Sequence, residues 1–180
     1  GYPLVMKIVS PDIVHKTDVG GVTVGLRTEA DVRAAYDAMM TSVATRAPGA
    51  TISGVLLQQM RSGGREFIAG IVREPGFGPL IMFGLGGVLV EALRDVVFRM
   101  VPIGDRDADE MLDGIRGTKL LGELRGDPAV DRVALMGALR RVAQLGNDFP
   151  RIAELDANPL LASSAGVVAL DARVRLAVAR

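Results

Sequence analysis

Cysteine and tryptophan are both absent from the 180 residues of this chain. Without cysteine the chain has no disulfide, no thiolate zinc site and no cysteine nucleophile, which is typical of a protein from a reducing, cytoplasmic compartment. Aromatic residues are also few, with five Phe and two Tyr. This scarcity argues against the stacking platforms with which many proteins bind single-stranded nucleic acids.

Net charge is absent as well, because 21 Lys and Arg balance 21 Asp and Glu. The balance excludes a protein that binds nucleic acid or a membrane surface through bulk charge. The longest uncharged segment, residues 75–90, contains five glycines and is shorter than the ~20 residues of a membrane span. We therefore expect no transmembrane helix and no nucleic-acid or membrane partner.

The residues that are present, 49% hydrophobic and 23% charged, are typical of a globular protein with a full core. The chain begins GYPLVMKIVSPD, without an initiator methionine or the pattern of a signal peptide. We interpret it as a piece of a longer protein.

Short apolar runs separated by turn residues predict a protein of α and β elements, with a hairpin at the RSGGR segment, residues 61–65. A capping box at Thr28 and Asp31 predicts the start of one helix, and Asp127 followed by Pro128 predicts the start of another. Strands are predicted at residues 3–9, 22–26, 52–60, 66–72, 79–83, 96–101, 151–162 and 166–174, with a further helix at 105–115.

The last two predicted strands form a hairpin whose register can be worked out. If its turn lies between Ser164 and Ala165, paired residues have numbers that sum to 329, so that Asn158 faces Asp171 and Asp156 faces Arg173. All four side chains then point to one face of the hairpin. An amide oxygen and carboxylates at this separation can share Mg²⁺. The alternative is a solvated face of a terminal hairpin.

Lys7 lies in an apolar strand just before a loop that ends in Gly20 and Gly21. A lysine in such a strand needs an anion or water, and unpaired N–H groups of a glycine-bearing loop can bind phosphate oxygens. The pattern indicates a phosphate site. The alternative is an edge-strand lysine that reaches solvent.

His15, the single histidine, lies in the same loop beside Lys16 and Asp18. A neutral imidazole can attack an activated phosphoryl group, and a nearby carboxylate can select its tautomer. The alternative is an ordinary surface histidine.

The FGLGG segment, residues 83–87, superficially resembles a dinucleotide-binding fingerprint, with Asp105 as the later acid. However, Leu89 stands where Gly or Ala is needed, and residues 88–94 are too few for a crossover helix. We do not favour that interpretation.

Three long segments, GYPLVMKIVSPDIVHKTDVGGV, GREFIAGIVREPGFGPLIMFGLGGVLVEALRDVVFRMVP and ELDANPLL, closely resemble the ATP-grasp region of ADP-forming acyl-CoA synthetases, which are related to the succinyl-CoA synthetase β chain. The resemblance covers essentially the whole chain. It implies an α+β fold with mixed or antiparallel sheets and flanking helices, in two lobes at about residues 1–60 and 61–180, with an upstream helical part missing.

The resemblance implies a role for each matching residue, with ATP or ADP and Mg²⁺ as the ligands. His15 matches a histidine that carries a phosphoryl group. Glu stands in many relatives where this chain has Gln59. Nucleotide contacts are implied for Lys7, Lys16, Gly20, Gly21, Gln58, Gln59, Met60 and Glu66, and metal contacts for Asp156, Asn158 and Asp171.

The function that this implies is the ATP-grasp part of an acid–thiol ligase, which interconverts acyl-CoA, ADP and phosphate with carboxylate, CoA and ATP. The partner is a CoA-binding domain or subunit that carries a second histidine, and the intact protein is expected to be an oligomer. Two alternatives remain open: an ATP-binding regulatory module fused to an acyltransferase, and an ATP-grasp carboxylate–amine ligase.

Overall fold

The computed structural model describes residues 1–87 and 93–177. The chain divides into two compact units, Gly1–Ser62 and Gly63–Arg180, which we call unit 1 and unit 2. Among the described residues, no helix is long and apolar enough to cross a membrane.

Unit 1 is a three-stranded antiparallel sheet in the order β2-β1-β3. The apolar side chains of Met6 and Ile8 on the central strand are completely buried, and they pack in one cluster with Met39 and Val43 of the helix. The elements are β1 (Leu4–Val9), β2 (Val22–Leu26), α1 (Glu29–Arg46) and β3 (Gly54–Gln59).

The predicted start of α1 is confirmed. The Thr28 hydroxyl accepts from the Asp31 N–H at 3.1 Å, and the Asp31 carboxylate accepts from the Thr28 N–H at 3.0 Å. These reciprocal bonds satisfy two N–H groups that have no partner inside the helix. They also hold the Asp31 pKa below its usual value, chiefly through the further bond from the Arg27 N–H.

Unit 2 contains a six-stranded antiparallel sheet, in which β6, β5, β4 and β7 lie side by side, and both β8 and β9 pair with β7. The predicted α+β class with antiparallel sheets is therefore confirmed. The elements are β4 (Arg65–Glu74), β5 (Gly78–Leu85), β6 (Val96–Met100), α2 (Asp105–Gly114), a 3₁₀ helix (Thr118–Leu121), α3 (Arg132–Asp148), β7 (Ile152–Ser163), β8 (Gly166–Ala169) and β9 (Ala172–Leu176).

One face of this sheet packs against α2 and α3. The rings of Phe67 and Phe83 stack with centroids 5.5 Å apart, and they belong to one buried cluster with Met111 of α2 and Leu139 of α3. Because side chains alternate along a strand, the neighbours of these core residues point to the opposite face. That opposite face carries the candidate site residues of unit 2.

The predicted hairpin at residues 61–65 is wrong. Strand β3 pairs with β1 in unit 1, whereas β4 pairs with β5 and β7 in unit 2. The Met60 N–H donates to the Pro3 carbonyl, and a side chain on Gly64 would touch the Ala162 carbonyl. The glycines therefore connect two sheets, because the apolar partners of each strand lie elsewhere in the chain.

The predicted start of α3 is also wrong. The cap is Asp131, whose carboxylate accepts from the Ala134 N–H at 2.9 Å. Asp127 is engaged instead in a tight turn, with its N–H and carbonyl both bonded to Leu124. The two residues between Leu124 and Asp127 have positive φ, 51° at Arg125 and 87° at Gly126.

Candidate active site

Lys7 lies on the central strand of unit 1, between Val22 of β2 and Leu56 of β3. Its strand neighbours Met6 and Ile8 are buried against α1, so the Lys7 side chain starts from the opposite face of the sheet. The edge-strand interpretation of Lys7 is therefore wrong. A cation in the middle of a sheet face, between apolar neighbours, is suited to bind an anion that covers this face.

The loop after β1, residues 10–21, is anchored at its start. Ile13 is 8% exposed and belongs to the core of unit 1. The Asp12 carboxylate accepts from the Thr51 N–H at 2.7 Å, and this bond is the main reason that its pKa lies below the usual value. The anchored segment is followed by His15, which is exposed, and Lys16, which is half-buried. The loop thus presents the imidazole to solvent from a fixed base.

The expectation that the loop ending in Gly20 and Gly21 offers unpaired N–H groups is wrong for these two glycines, and their contact with phosphate stays a prediction. Their N–H groups donate within the loop, to Thr17 at 3.0 Å and to Lys16 at 2.7 Å. A side chain on Gly21 would meet Ile8 at 2.5 Å, and Gly20 has a φ of 71°. These glycines therefore form the turns and the close approach of the loop to β1, and their N–H groups are not unpaired.

Gln58 and Gln59, for which the resemblance implies nucleotide contacts, lie on different faces of the unit 1 sheet. Gln58 pairs with Val5 and therefore lies on the same face as Lys7. Gln59 pairs with Leu4 and lies on the other face, toward α1. Of these two glutamines, Gln58 shares a sheet face with Lys7 and Gln59 does not.

The predicted register of the C-terminal strands is confirmed. The pairs Ser163–Gly166 and Asp156–Arg173 both sum to 329. Between β8 and β9 the strand is interrupted, but the Leu170 N–H still donates to the Pro159 carbonyl, which keeps the same sum. Asp171, which is half-buried, is the residue after Leu170 and therefore lies opposite Asn158 in the same register.

Asp156 is the carboxylate whose surroundings most clearly call for a cation. Its Oδ1 is buried without a hydrogen-bond partner. Burial raises the Asp156 pKa, the nearby carboxylates of Glu154 and Asp171 raise it further, and Arg173 lowers it. A buried oxygen without a partner among like charges is costly unless a cation binds it.

These residues fit Mg²⁺ if the phosphates of a nucleotide complete the coordination shell. Among residues 1–87 and 93–177, no group of three or more His, Cys, Asp or Glu side chains is close enough to hold a metal alone. Mg²⁺ typically keeps several waters and binds through one or two carboxylates together with substrate phosphates. The donors Asp156, Asn158 and Asp171 match that pattern.

Glu66 and Asn158 converge on one glycine that the sequence analysis did not select. The Gly87 N–H donates to Asn158 Oδ1 at 3.1 Å. A side chain on Gly87 would collide with the Glu66 carboxylate, and one on Gly86 would collide with the Phe67 backbone. The Gly86 N–H donates to the Glu66 carbonyl at 2.9 Å. The signal for this contact was the glycine pair directly after an apolar strand.

The dinucleotide interpretation of the same segment does not hold. Strand β5, from which the segment leaves, is antiparallel to both of its neighbours, whereas that fingerprint belongs to a parallel βαβ unit. The predicted later acid, Asp105, instead forms an ion pair with Arg140 of α3. Residues 88–92, including Leu89, lie outside the described residues.

Asp95 is the second residue that the sequence analysis missed. It is 6% exposed, and its carboxylate accepts from the N–H groups of Arg116 and Gly117 at 2.8 and 2.7 Å. Its carbonyl accepts from the Leu85 N–H at 3.2 Å. Asp95 therefore ties the end of β5 to the turn before the 3₁₀ helix.

A cavity of about 500 Å³ lies on the same sheet face as Asp156. Its floor is apolar, with Ile68, Leu80, Met82 and Phe98, and its acidic side is formed by Glu154 and Asp156. Gly70, which pairs with Asp156, leaves the floor open because it has no side chain. Such a site combines apolar surface for a ring with oxygens for a cation.

Comparison with known proteins assigns the class. A family model described as an ATP-grasp domain matches residues 1–176, so this chain belongs to the ATP-grasp family. Within it, the chain falls in the branch of ADP-forming acyl–CoA ligases. It is 43% identical over 176 residues to the β subunit of acetate–CoA ligase I of Pyrococcus furiosus. The match covers 98% of this chain and 76% of that subunit.

A longer relative is acetate–CoA ligase I of Archaeoglobus fulgidus, 46% identical over 176 residues, where the match covers 98% of this chain. The chain spans only 26% of that protein's length. Among solved structures, acetyl-coenzyme A synthetase 1 of Ca. Korarchaeum cryptofilum matches with a TM-score of 0.95 and 46% identity, over 98% of this chain and 77% of the other. The same protein with coenzyme A and Mg-AMPPCP matches with a TM-score of 0.85 and 43% identity, over 98% and 78%.

Proposed function

We propose that this chain is the nucleotide-binding part of an ADP-forming acyl-CoA synthetase. The intact enzyme would interconvert acyl-CoA, ADP and phosphate with carboxylate, CoA and ATP. The chain's own share is to bind ATP or ADP with Mg²⁺ and to carry the phosphoryl group on His15. The relatives support this, since those in its branch are ADP-forming ligases and one was solved with coenzyme A and Mg-AMPPCP.

The observation that carries the proposal is the Asp156 oxygen. It is buried without a partner, in a register that brings Asn158 and Asp171 to the same level. A divalent cation held by these oxygens would neutralise the phosphates of a bound nucleotide. The Lys7 side chain starts from the face of the unit 1 sheet opposite α1, and its ammonium is the group that we assign to a phosphate.

His15 is the proposed phosphoryl acceptor. One imidazole nitrogen attacks the γ-phosphorus in line, the bond to the β–γ bridging oxygen breaks, and its electron pair leaves with ADP while the imidazole proton passes to solvent. In the opposite direction the phosphoryl group returns to ADP. The exposure of His15 on an anchored loop suits a group that must also meet a second site.

The second site would lie in a partner. Acyl transfer to CoA requires a CoA-binding domain or subunit, which we expect to carry the second histidine. In the relatives the matching part is a separate β subunit in one protein and about a quarter of a longer chain in another. Both arrangements are compatible with this chain. The acyl substrate would be recognised by the partner.

Binding of MgADP to the full chain, measured by calorimetry, tests the nucleotide site. Lys7→Met and Asp171→Ala should each weaken binding while circular dichroism shows an intact fold. Val24→Ala, at a 61% exposed position on β2, serves as the control and should bind normally. If the wild-type chain has no affinity for MgADP or MgATP, the proposal is wrong.

Phosphoryl transfer distinguishes the open alternatives. Incubation with ATP labelled at the γ-phosphate should leave an acid-labile, base-stable phosphate on the wild-type chain together with its partner, and none on His15→Gln. An unlabelled protein that still binds ATP would favour a regulatory module fused to an acyltransferase. Ligase turnover with amines that survives His15→Gln would favour a carboxylate–amine ligase.

A further inference from the structure

The turn at Gly86 and Gly87 lies against both strands that carry candidate ligand groups of unit 2. Strand β4 supplies Glu66, and strand β7, which pairs with it, supplies Asn158. Gly86 bonds to the backbone of β4 at Glu66, and Gly87 bonds to the side chain of Asn158. The turn therefore bridges two neighbouring strands at the point where their polar side chains emerge.

The bond from Gly87 determines which atom of the Asn158 amide is presented. An N–H group can donate to the amide oxygen and not to the amide NH₂ group. The 3.1 Å bond to Oδ1 therefore selects one of two orientations that have nearly the same shape. Only the oxygen can bind Mg²⁺, and it retains a second lone pair for that purpose.

The absence of a side chain on Gly87 also affects the position of the Glu66 carboxylate. Its φ is 59°, and a methyl group at this position would overlap the Glu66 carboxylate. Glu66 is exposed, so its carboxylate is accessible to a ligand. A residue larger than glycine would displace that carboxylate, whereas glycine lets the backbone approach both groups at once.

Asp95 anchors the residue that precedes the turn at Gly86 and Gly87. Its carbonyl binds the N–H of Leu85, the residue before the turn, and its buried carboxylate binds Arg116 and Gly117. The Leu85 backbone, which leads into Gly86, is thus held by a hydrogen bond to Asp95, the residue directly before β6. The Gly87 N–H is directed by the fold rather than by its contact with Asn158.

We propose that Gly87 is a positioning residue for the metal and nucleotide, which orients the Asn158 oxygen and leaves room for the Glu66 carboxylate. The inference rests on the proposed function, because it assigns a role within that site. Groups that orient metal ligands typically change metal affinity by about 10- to 100-fold when they are altered.

The test compares two alanine variants of the full chain. Gly87→Ala should lower Mg²⁺-dependent ADP affinity by about 10- to 100-fold, while ADP affinity in EDTA stays at the wild-type value. Gly76→Ala is the matched control, because Gly76 also has a positive φ, 90°, but a side chain there would touch no other atom within 4 Å. It should lose stability to a similar degree and keep both affinities.

Two double variants separate the two parts of the proposal. In Asn158→Asp both terminal atoms are oxygens, so the orientation no longer matters, and adding Gly87→Ala should cost less metal-dependent affinity than it does in wild type. In Glu66→Asp the shorter side chain relieves the overlap, so this background should also reduce the cost. If Gly87→Ala costs the same factor in all three backgrounds, the proposal is overturned.

A measurement on the wild-type chain covers the case in which Gly87→Ala fails to fold. The Gly87 amide resonance should move when Mg²⁺ is added to the ADP complex, and the Gly76 resonance should not. An unchanged Gly87 resonance would overturn the inference. If Asn158→Ala loses metal dependence but Gly87→Ala retains it, only this inference fails. If Mg²⁺ adds nothing to ADP affinity in wild type, both proposals fail.

Discussion

Unit 1 and unit 2 carry their candidate groups on different kinds of structure. In unit 1 the proposed phosphoryl acceptor His15 and its neighbour Lys16 lie on a loop, whereas Lys7, Gln58 and Gln59 lie on strands. In unit 2, Glu66, Asp156 and Asn158 all lie on two paired strands of the larger sheet. The difference follows the chemistry that we assign to each unit, because a phosphoryl carrier must reach two sites whereas metal ligands must hold one geometry.

The hydrophobic cores of the two units also differ, because more helices pack against the sheet in unit 2 than in unit 1. The main core cluster of unit 2 joins both long helices to the sheet, whereas that of unit 1 rests on one helix over three strands. We expect the ligand geometry of unit 2 to be the more resistant to disturbance. The following predictions test this contrast, from the largest expected effect to the smallest.

His15, the proposed phosphoryl acceptor of unit 1, is expected to be essential for phosphoryl transfer. His15→Gln should abolish the acid-labile label while nucleotide affinity and melting temperature stay at wild-type values, because the imidazole is exposed and makes no core contact. The label is measured with γ-labelled ATP and the partner present. Retention of an acid-labile label on the variant would contradict the assignment.

The core of unit 2 is expected to dominate the stability of its strands. Leu139→Ala removes a completely buried side chain from α3 and should cost about 2–5 kcal/mol of unfolding free energy in urea. Leu145→Ala on the same helix, at a position 40% exposed, is the control and should cost about 0.5 kcal/mol or less. Equal costs for both variants would show that α3 does not pack as described.

The charge of Lys7 in unit 1 is expected to contribute to phosphate binding. Lys7→Met keeps the length of the side chain but removes its charge, and it should weaken MgADP binding by about 1.5–3 kcal/mol, or roughly 10- to 150-fold. AMP, which lacks the outer phosphates, should be affected much less. If calorimetry shows that Lys7→Met loses the same factor of affinity for MgADP and for AMP, Lys7 does not contact the outer phosphate.

The helix cap of unit 1 offers a smaller perturbation. Thr28→Ala removes one half of the capping box and should cost about 1 kcal/mol of unfolding free energy. Thr28→Ser retains the hydroxyl and should restore most of it. If Ala and Ser are equally destabilising in thermal melts, the cap is not the source of the effect.

The smallest expected effect is the pH dependence of stability, which has opposite signs for Asp31 in unit 1 and Asp156 in unit 2. The lowered pKa of Asp31 contributes stability that is present above its usual value of 3.8 and is lost as pH falls through the folded pKa. The raised pKa of Asp156 lowers stability as pH rises from 3.8 through its higher folded pKa. Asp156→Asn should therefore raise the metal-free melting temperature at pH 7, and Asp31→Asn should lower it.

A comparison of melts at pH 7 and pH 3 checks these signs. The gain from Asp156→Asn should disappear at pH 3, where the wild-type carboxyl is protonated in both the folded and the unfolded chain. A gain of equal size at both pH values would mean that the charge of Asp156 is not its source.

The sequence alone was sufficient for features that depend on near neighbours. The capping box at Thr28 is a contact over three residues, and the register that sums to 329 follows from a turn between Ser164 and Ala165. Short turns and caps involve so few bonds that the residues within them decide the geometry. The family and the class of fold were implied by the resemblance of three long segments to a known family.

Tertiary structure decided everything that depends on distant partners. Strand β3 pairs with β1 and not with the adjacent β4, because the apolar faces that it completes lie in unit 1. The central position of Lys7 results from that pairing. The contact of Gly87 with Asn158 spans 71 positions of the chain, and only a folded sheet can bring such residues together, since no pattern of neighbouring residues encodes that approach.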